Sequence, residues 1–200
     1  MTKRTTALVV GVTLGLMCTA CTSGEEEQKR VPPPASPEPA TLKRLPEISI
    51  SGDPLAGRES GESPGTQRVL GEVYKGKARI IAYTEGDKCG VLVLNSGHKK
   101  DASINLITGW PDHRSEGSSN LPAGPYSTSS GADSEGTGRA SLSCGKNAMV
   151  VQYSSDVPAS VSRQRGSVTT APSPGKKNFS VVVAPRGIRK SIVDDLPESF

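Results

Sequence analysis

Aromatic and imidazole side chains are scarce in this sequence. Its 200 residues include two histidines and one tryptophan, and aromatic residues make up 4% of the chain. Carbohydrate-binding modules rely on exposed rings, so this composition argues against a module of that kind. His98 and His113 alone cannot complete a metal site, and no spacing of carboxylates adds the missing ligands. We therefore expect neither a bound metal nor a cofactor.

Motifs that carry enzyme chemistry or nucleic-acid recognition are also lacking. The G-E-S-P-G match at 61–65 resembles a nucleophile elbow, but Pro64 directly follows Ser63 where that motif requires a helix. S-x-x-K matches, among them those at 96–99 and 173–176, occur without the K-T-G and S-D-N partners of their class. No Arg-rich helix and no stripe of aromatic and basic residues is present. The sequence thus predicts no catalytic residue and no nucleic-acid partner.

A secretory signal opens the chain. Lys3 and Arg4 precede an apolar run at 7–17, and small residues follow it. Cys18 and Cys21 then form C-T-A-C, which resembles a redox or metal pair. No strand leads into a helix here, as a redox pair would need, and the next cysteine is too distant to help hold zinc.

The residues around Cys21 resemble the signal of bacterial lipoproteins, whose lipobox ends at the cysteine that is lipidated. Ala20 occupies position −1, Thr19 position −2, and Cys18 stands at −3 where leucine is usual. The resemblance implies that residues 1–20 are a signal peptide and that Cys21 carries two or three acyl chains. Two such chains anchor a protein firmly to the membrane, here at the extracytoplasmic face of the cell membrane. A retained transmembrane segment and plain secretion after cleavage remain alternatives.

Residues 21–66 read as a linker rich in Pro, Glu and Ser. Eight of the 16 prolines fall here, and apolar residues show almost no periodicity. A segment with so little to bury cannot offset the entropy cost of ordering, so we expect a disordered tether. The patch at 47–51, E-I-S-I-S, alternates like a strand and is an alternative point of attachment to a sheet edge.

From residue 67 to residue 185 the chain alternates short apolar segments with turn residues. The segments are rich in Val, Ile and Tyr, and no helical stripe is evident, which favours strands. We expect an all-β fold: a single antiparallel β-sandwich or barrel-like domain of about seven to nine strands. The predicted strands are RVLGEVY, KARIIAYT, KCGVLVLN, ASINLITGW, GRASLSC, AMVVQYS, GSVTT and NFSVVVAP.

Cys89 and Cys144 are the two cysteines left once the signal is removed and Cys21 is lipidated. An even pair in an exported protein predicts a disulfide. Strand alternation places Cys89 on the face of Val91 and Val93, and Cys144 on that of Leu142, so both should point inward. A redox-active or metal-binding pair is the alternative.

The stretch 109–138 is far longer than an ordinary hairpin loop, and such loops are often functional. It contains Trp110, His113, Arg114 and Tyr126, an aromatic and cationic set suited to gripping a sugar or an anionic wall component. The alternative interpretation is that Trp110 closes the core and the rest crosses the surface.

The tail, residues 186–200, has apolar residues at near-helical spacing before Pro197. It is either a short helix docked on the sheet or a frayed end, and we favour the frayed end.

These features together predict a lipid-anchored envelope protein with a non-enzymatic binding or structural β-domain. Its partner would be a cell-wall component or an envelope protein, in addition to the membrane. A small wall-modifying hydrolase and a scaffold or sensor for a membrane protein are the alternatives. The oligomeric state is not indicated by the sequence.

Overall fold

The computed structural model describes residues 41–52, 54–56, 66–95, 104–111, 121–172 and 177–196. The predicted signal peptide, the predicted lipidation site Cys21 and both histidines lie outside the described residues. Within the described ranges, no helix is long and apolar enough to cross a membrane.

Ten strands and one α-helix make up the described part of the domain. The elements are β1 Gln67–Lys75, β2 Ala78–Glu85, β3 Lys88–Asn95, β4 Ile104–Gly109, β5 Ser127–Ala132, β6 Gly138–Cys144, β7 Met149–Ser155, β8 Val161–Gly166, β9 Val168–Pro172, β10 Asn178–Val183 and α1 Arg186–Asp195. The strands form two five-stranded sheets, ordered β4-β3-β2-β1-β8 and β5-β6-β7-β10-β9. All neighbouring strands are antiparallel.

The two sheets share one apolar core, which confirms the all-β prediction. Alternate residues of each strand face inward, so Val91 and Val93 of β3 meet Leu142 of β6 and Val151 of β7 in a single buried cluster. The sequence patterns predict seven to nine strands, whereas the described residues contain ten. All eight predicted segments overlap observed strands.

The two additional strands, β5 and β8, are edge strands of low apolar content. Their sequences are STSSGA and VSRQRG, and most of their side chains are intermediate or exposed. Neither has the alternation of apolar residues that predicts a strand. Each is a strand through the hydrogen bonds of its backbone to one neighbouring strand. The stretch 109–138 is therefore not one long loop: it contains β5, which pairs with β6 from Ser127 to Ala132.

The C-terminal tail is a helix where described, not the frayed end that we favoured. In α1, Ile192 is fully buried, and Ile188, Val193 and Leu196 pack with it against Val150 and Val182 on the outer face of the second sheet. The side chain of Arg189 also donates a hydrogen bond of 2.7 Å to the backbone carbonyl of Val168. Burial of one apolar stripe against the sheet stabilises this short helix. Isolated segments of its length rarely form stable helices in water.

Residues 41–52, assigned by sequence to the disordered linker, pack against the first sheet. A 3₁₀ helix at Leu42–Arg44 buries Leu42 completely, and the backbone N–H of Ile48 bonds to the carbonyl of Val69 at 2.9 Å. Arginine side chains donate hydrogen bonds to carbonyls of this segment: Arg68 to Lys43 and Leu45, Arg79 to Ser51, and Arg165 to Ser49. The ordered domain thus includes residues before position 67. The alternating patch at 47–51 contacts β1 through Ile48 without forming a strand. The other apolar residues of this segment follow no regular period, so sequence patterns do not reveal them.

Candidate functional site

The two ends of the sandwich differ in how they are filled. At one end, Cys89 and Cys144 form the predicted disulfide, and both are fully buried. Leu42 covers this end, donating its N–H to the carbonyl of Lys146 at 3.0 Å, and Trp110 packs against the same core cluster. We call it the closed end.

Of the sequence-predicted site residues, Trp110 and Tyr126 are described, and they lie near the closed end in separate apolar clusters. Tyr126 is fully buried beneath α1, and its hydroxyl donates to the carbonyl of Pro122 at 2.5 Å. Burial raises the pKa of Tyr126. Trp110 belongs to a different cluster, with the amino group of Lys43 at 5.1 Å from its ring centroid. His113 and Arg114 lie outside the described residues.

At the opposite end, two cavities lie beneath the loop formed by residues 156–160. One has a volume of about 550 Å³ and the other of about 450 Å³, and Lys75, Pro158 and Ala159 line both. We call these two cavities the open-end cleft. Volumes of this size are typical of small-molecule sites in proteins.

Lys75 is the only cation of the described residues that is buried within the core, and it lies in this cleft. It is the last residue of β1 and shares the inward face of Val73, so its side chain points between the sheets. The residue is 4% exposed. Lysines are rarely buried to this degree unless they are paired with an acid, and a buried charge is costly.

The contacts of the Lys75 ammonium leave it without a counter-ion among the described residues. Its Nζ donates to the backbone carbonyl of Lys177 at 2.9 Å and lies 4.4 Å from the ring centroid of Phe179. No described carboxylate forms an ion pair with it. Desolvation lowers the pKa of Lys75, because burial penalises its charged form. An ammonium has three donors, so acceptors beyond Lys177 can still be accommodated.

The walls of the cleft are mainly apolar. The larger cavity includes Ala78 and Tyr153, and the smaller includes Val161 and Phe179. The rings of Tyr153 and Phe179 meet edge to face, with centroids 5.8 Å apart. Burial, with the charge of Asp133 second, raises the pKa of Tyr153, so its hydroxyl is neutral near pH 7.

The loop over the cleft is positioned by few contacts. The N–H of Asp156 bonds to the carbonyl of Thr137 at 3.1 Å, and the hydroxyl of Ser155 to the carbonyl of Val157 at 2.9 Å. Gly76, in the β1–β2 turn, has φ of +57°, and a Cβ there would lie 2.8 Å from that of Ala159. Turn and loop thus meet closely at the mouth. Val157 is 70% exposed, the one large apolar side chain of the described residues with this degree of exposure.

A second concavity lies on the outer face of the second sheet, beside α1. It has a volume of about 560 Å³, and Ser130, Ser141 and Gln152 are among its lining residues. Ser141 donates to Gln152 at 2.9 Å, so these side chains satisfy each other. Its one charged lining residue, Arg139, is exposed. The open-end cleft is the stronger candidate because a buried charge, that of Lys75, lies in it.

In the described part of the chain, no three His, Cys, Asp or Glu side chains group to hold a metal ion.

Sequence reasoning overlooked Lys75 because it precedes a Gly-Lys turn and looks like a turn residue. Its position two residues after inward-facing Val73 is the signal that could have identified it.

No family model, no curated protein and no solved structure matches the chain.

Proposed function

We propose that this chain is a lipid-anchored protein of the bacterial cell envelope whose β-sandwich is a non-enzymatic module that binds a small apolar ligand. The anchor is proposed from the sequence around Cys21, which resembles a lipobox. The observation that carries the binding role is the open-end cleft, where apolar walls surround the buried Lys75. The buried disulfide supports a location outside the reducing cytoplasm.

Growth with radioactive palmitate tests the anchor. We expect the wild-type chain and a Cys18→Ala variant to incorporate label, and a Cys21→Ala variant to lose it, since only the thioether at Cys21 would hold the acyl chains. Label retained by Cys21→Ala would contradict the anchor. Cys18→Ala is the matched control because it changes the neighbouring cysteine of the same motif.

Nile red, a neutral dye that fluoresces in apolar surroundings, tests the binding role. The full chain with Cys21→Ala is the appropriate protein, since it lacks acyl chains that could enter the cleft themselves. We expect fluorescence to rise on binding and to fall when Ala159→Trp fills the space that both cavities share. Ala56→Trp, at an exposed position, should bind as the parent does. Equal binding by all three proteins would contradict a cleft-based function.

A further inference from the structure

The charge and shape of the open-end cleft specify a ligand class, an inference that rests on the binding role proposed above. The Lys75 ammonium is removed from water and, among the described residues, has only a carbonyl and an aromatic ring as partners. A carbonyl dipole offsets less of the desolvation cost than a full negative charge does. A ligand that brings an anionic group to Nζ would supply the missing counter-ion.

The remainder of the ligand has to be apolar. Around Lys75, Pro158 and Ala159 line both cavities. The walls of the larger cavity also include Ala78 and Tyr153, and those of the smaller include Val161 and Phe179. Polar side chains such as Asn95 and Thr137 also contribute to the larger cavity, but its exposed lining is predominantly apolar. Such walls favour a hydrocarbon, which gains free energy in proportion to the apolar area that it removes from water.

Charges at the mouth of the cleft are compatible with a ligand whose anionic group lies at Lys75 and whose apolar part lies along the walls. Lys77 and Asp156, which carry opposite charges, both line the larger cavity and both are exposed. Water screens exposed charges, so Asp156 opposes an anion weakly, whereas buried Lys75 acts in a medium of lower dielectric constant. The exposed Val157, on the loop over the cleft, offers a further apolar contact at the entrance.

We propose that the open-end cleft binds a single-chain amphiphile, with its anionic head group paired to the Lys75 ammonium and its hydrocarbon chain against the apolar walls. Two sources share this chemistry: a long-chain carboxylate, and a lysophospholipid whose head is a phosphate. Both would present oxygen acceptors to the free N–H donors of Lys75.

Displacement of cis-parinaric acid, a fluorescent long-chain carboxylate, from the full Cys21→Ala chain provides the test. We expect palmitate to displace the probe, and hexadecanol, which has the same chain but no charge, to do so about tenfold less well, the loss expected for one charge-assisted contact. Lysophosphatidic acid in a parallel titration distinguishes the sources: the tighter competitor identifies the head group. If hexadecanol competes as well as palmitate, the proposal is wrong.

Two variants locate the head group. Lys75→Met keeps the apolar stem and removes the charge, so we expect about tenfold weaker binding of cis-parinaric acid but little change for hexadecanol. Lys146→Met makes the same change at an exposed position of the closed end and should bind as the parent does. Equal losses in both variants would overturn the proposal. If Lys75→Met does not fold, the comparison of palmitate with hexadecanol on the parent chain still decides.

The outcomes separate this inference from the broader proposal. Nile red binding that Ala159→Trp abolishes, together with no preference for palmitate over hexadecanol, would leave a binding module with a different ligand. Failure of both Nile red and cis-parinaric acid to bind would contradict the binding role itself.

Discussion

The closed end and the open end of this sandwich are built from the same sheets but are filled differently. The closed end has a disulfide, the fully buried Leu42 and the large ring of Trp110. The open end has a lysine between cavities of about 450 and 550 Å³. Burial of apolar side chains at the closed end contributes stability, whereas unfilled space and a buried charge that has no acid among the described residues lower it at the open end.

Loss of the disulfide should have the largest effect on this contrast. The bridge closes a loop with a sequence separation of 55 residues, for which chain entropy predicts about 4 kcal/mol of stabilisation. We expect the Cys89→Ala, Cys144→Ala double variant to lose that much free energy of unfolding in urea titrations. Dithiothreitol should destabilise the parent but not the double variant. A double variant as stable as the parent would mean that the closed end does not depend on its bridge.

Leu42→Ala should come next. Leu42 is fully buried at the closed end although it precedes the β-region recognised in sequence. Removal of a buried leucine side chain typically costs about 2 to 5 kcal/mol. Lys43→Ala is the matched control: its ion pair with Asp87 joins two largely exposed side chains, so we expect a loss of about 1 kcal/mol or less. A loss for Leu42→Ala as small as the one expected for Lys43→Ala would show that residues 41–52 add little to the fold.

Alkaline pH should have the smallest effect on the stability of the fold. Its contributions through Lys75 and through Tyr126 should have opposite signs. The folded-state pKa of Lys75 lies below its usual 10.5, so between those two values the unfolded chain binds more protons and stability rises with pH. The pKa of Tyr126 is raised from 10.0, so above pH 10.0 the unfolded chain loses the phenolic proton first and stability falls.

Urea titrations from about pH 7 to about pH 11 would measure both contributions. We expect Lys75→Met to remove the rising part of the stability profile and Tyr126→Phe to reduce the fall above pH 10.0. Profiles of the two variants that match the parent's would show that neither group titrates differently on folding.

Eight strands and the disulfide could be predicted because each depends on a local pattern. Val91 and Val93 alternate with residues of the opposite face, and Cys89 continues that alternation into the core. Strands β5 and β8 have no such pattern, since their pairing with β6 and β1 rather than side-chain burial makes them strands. The helix α1 was ambiguous because its apolar stripe is short and needs Val150 and Val182 as a surface to pack on.

The candidate site was harder to predict than the fold. Trp110 and Tyr126 are the conspicuous residues of the sequence, yet large aromatic side chains are also those that fill cores most effectively, and Tyr126 is fully buried. Lys75 is inconspicuous among the other lysines. Its importance comes from Phe179 and Lys177, about a hundred residues further along the chain, which no local pattern connects to it.

Local sequence patterns are enough to predict the strand-rich core and the inward orientation of Cys89 and Cys144. They also lead us to expect a lipid anchor at Cys21. These depend on neighbours along the chain, through the two-residue period of a strand and the spacing of a signal. The tertiary structure was needed to show that residues 41–52 belong to the domain and that the described part of the tail is helical. It was also needed to show that Lys75 is buried without an acid among the described residues. Burial and pairing are set by contacts between distant segments, and these exist only once the two sheets have packed.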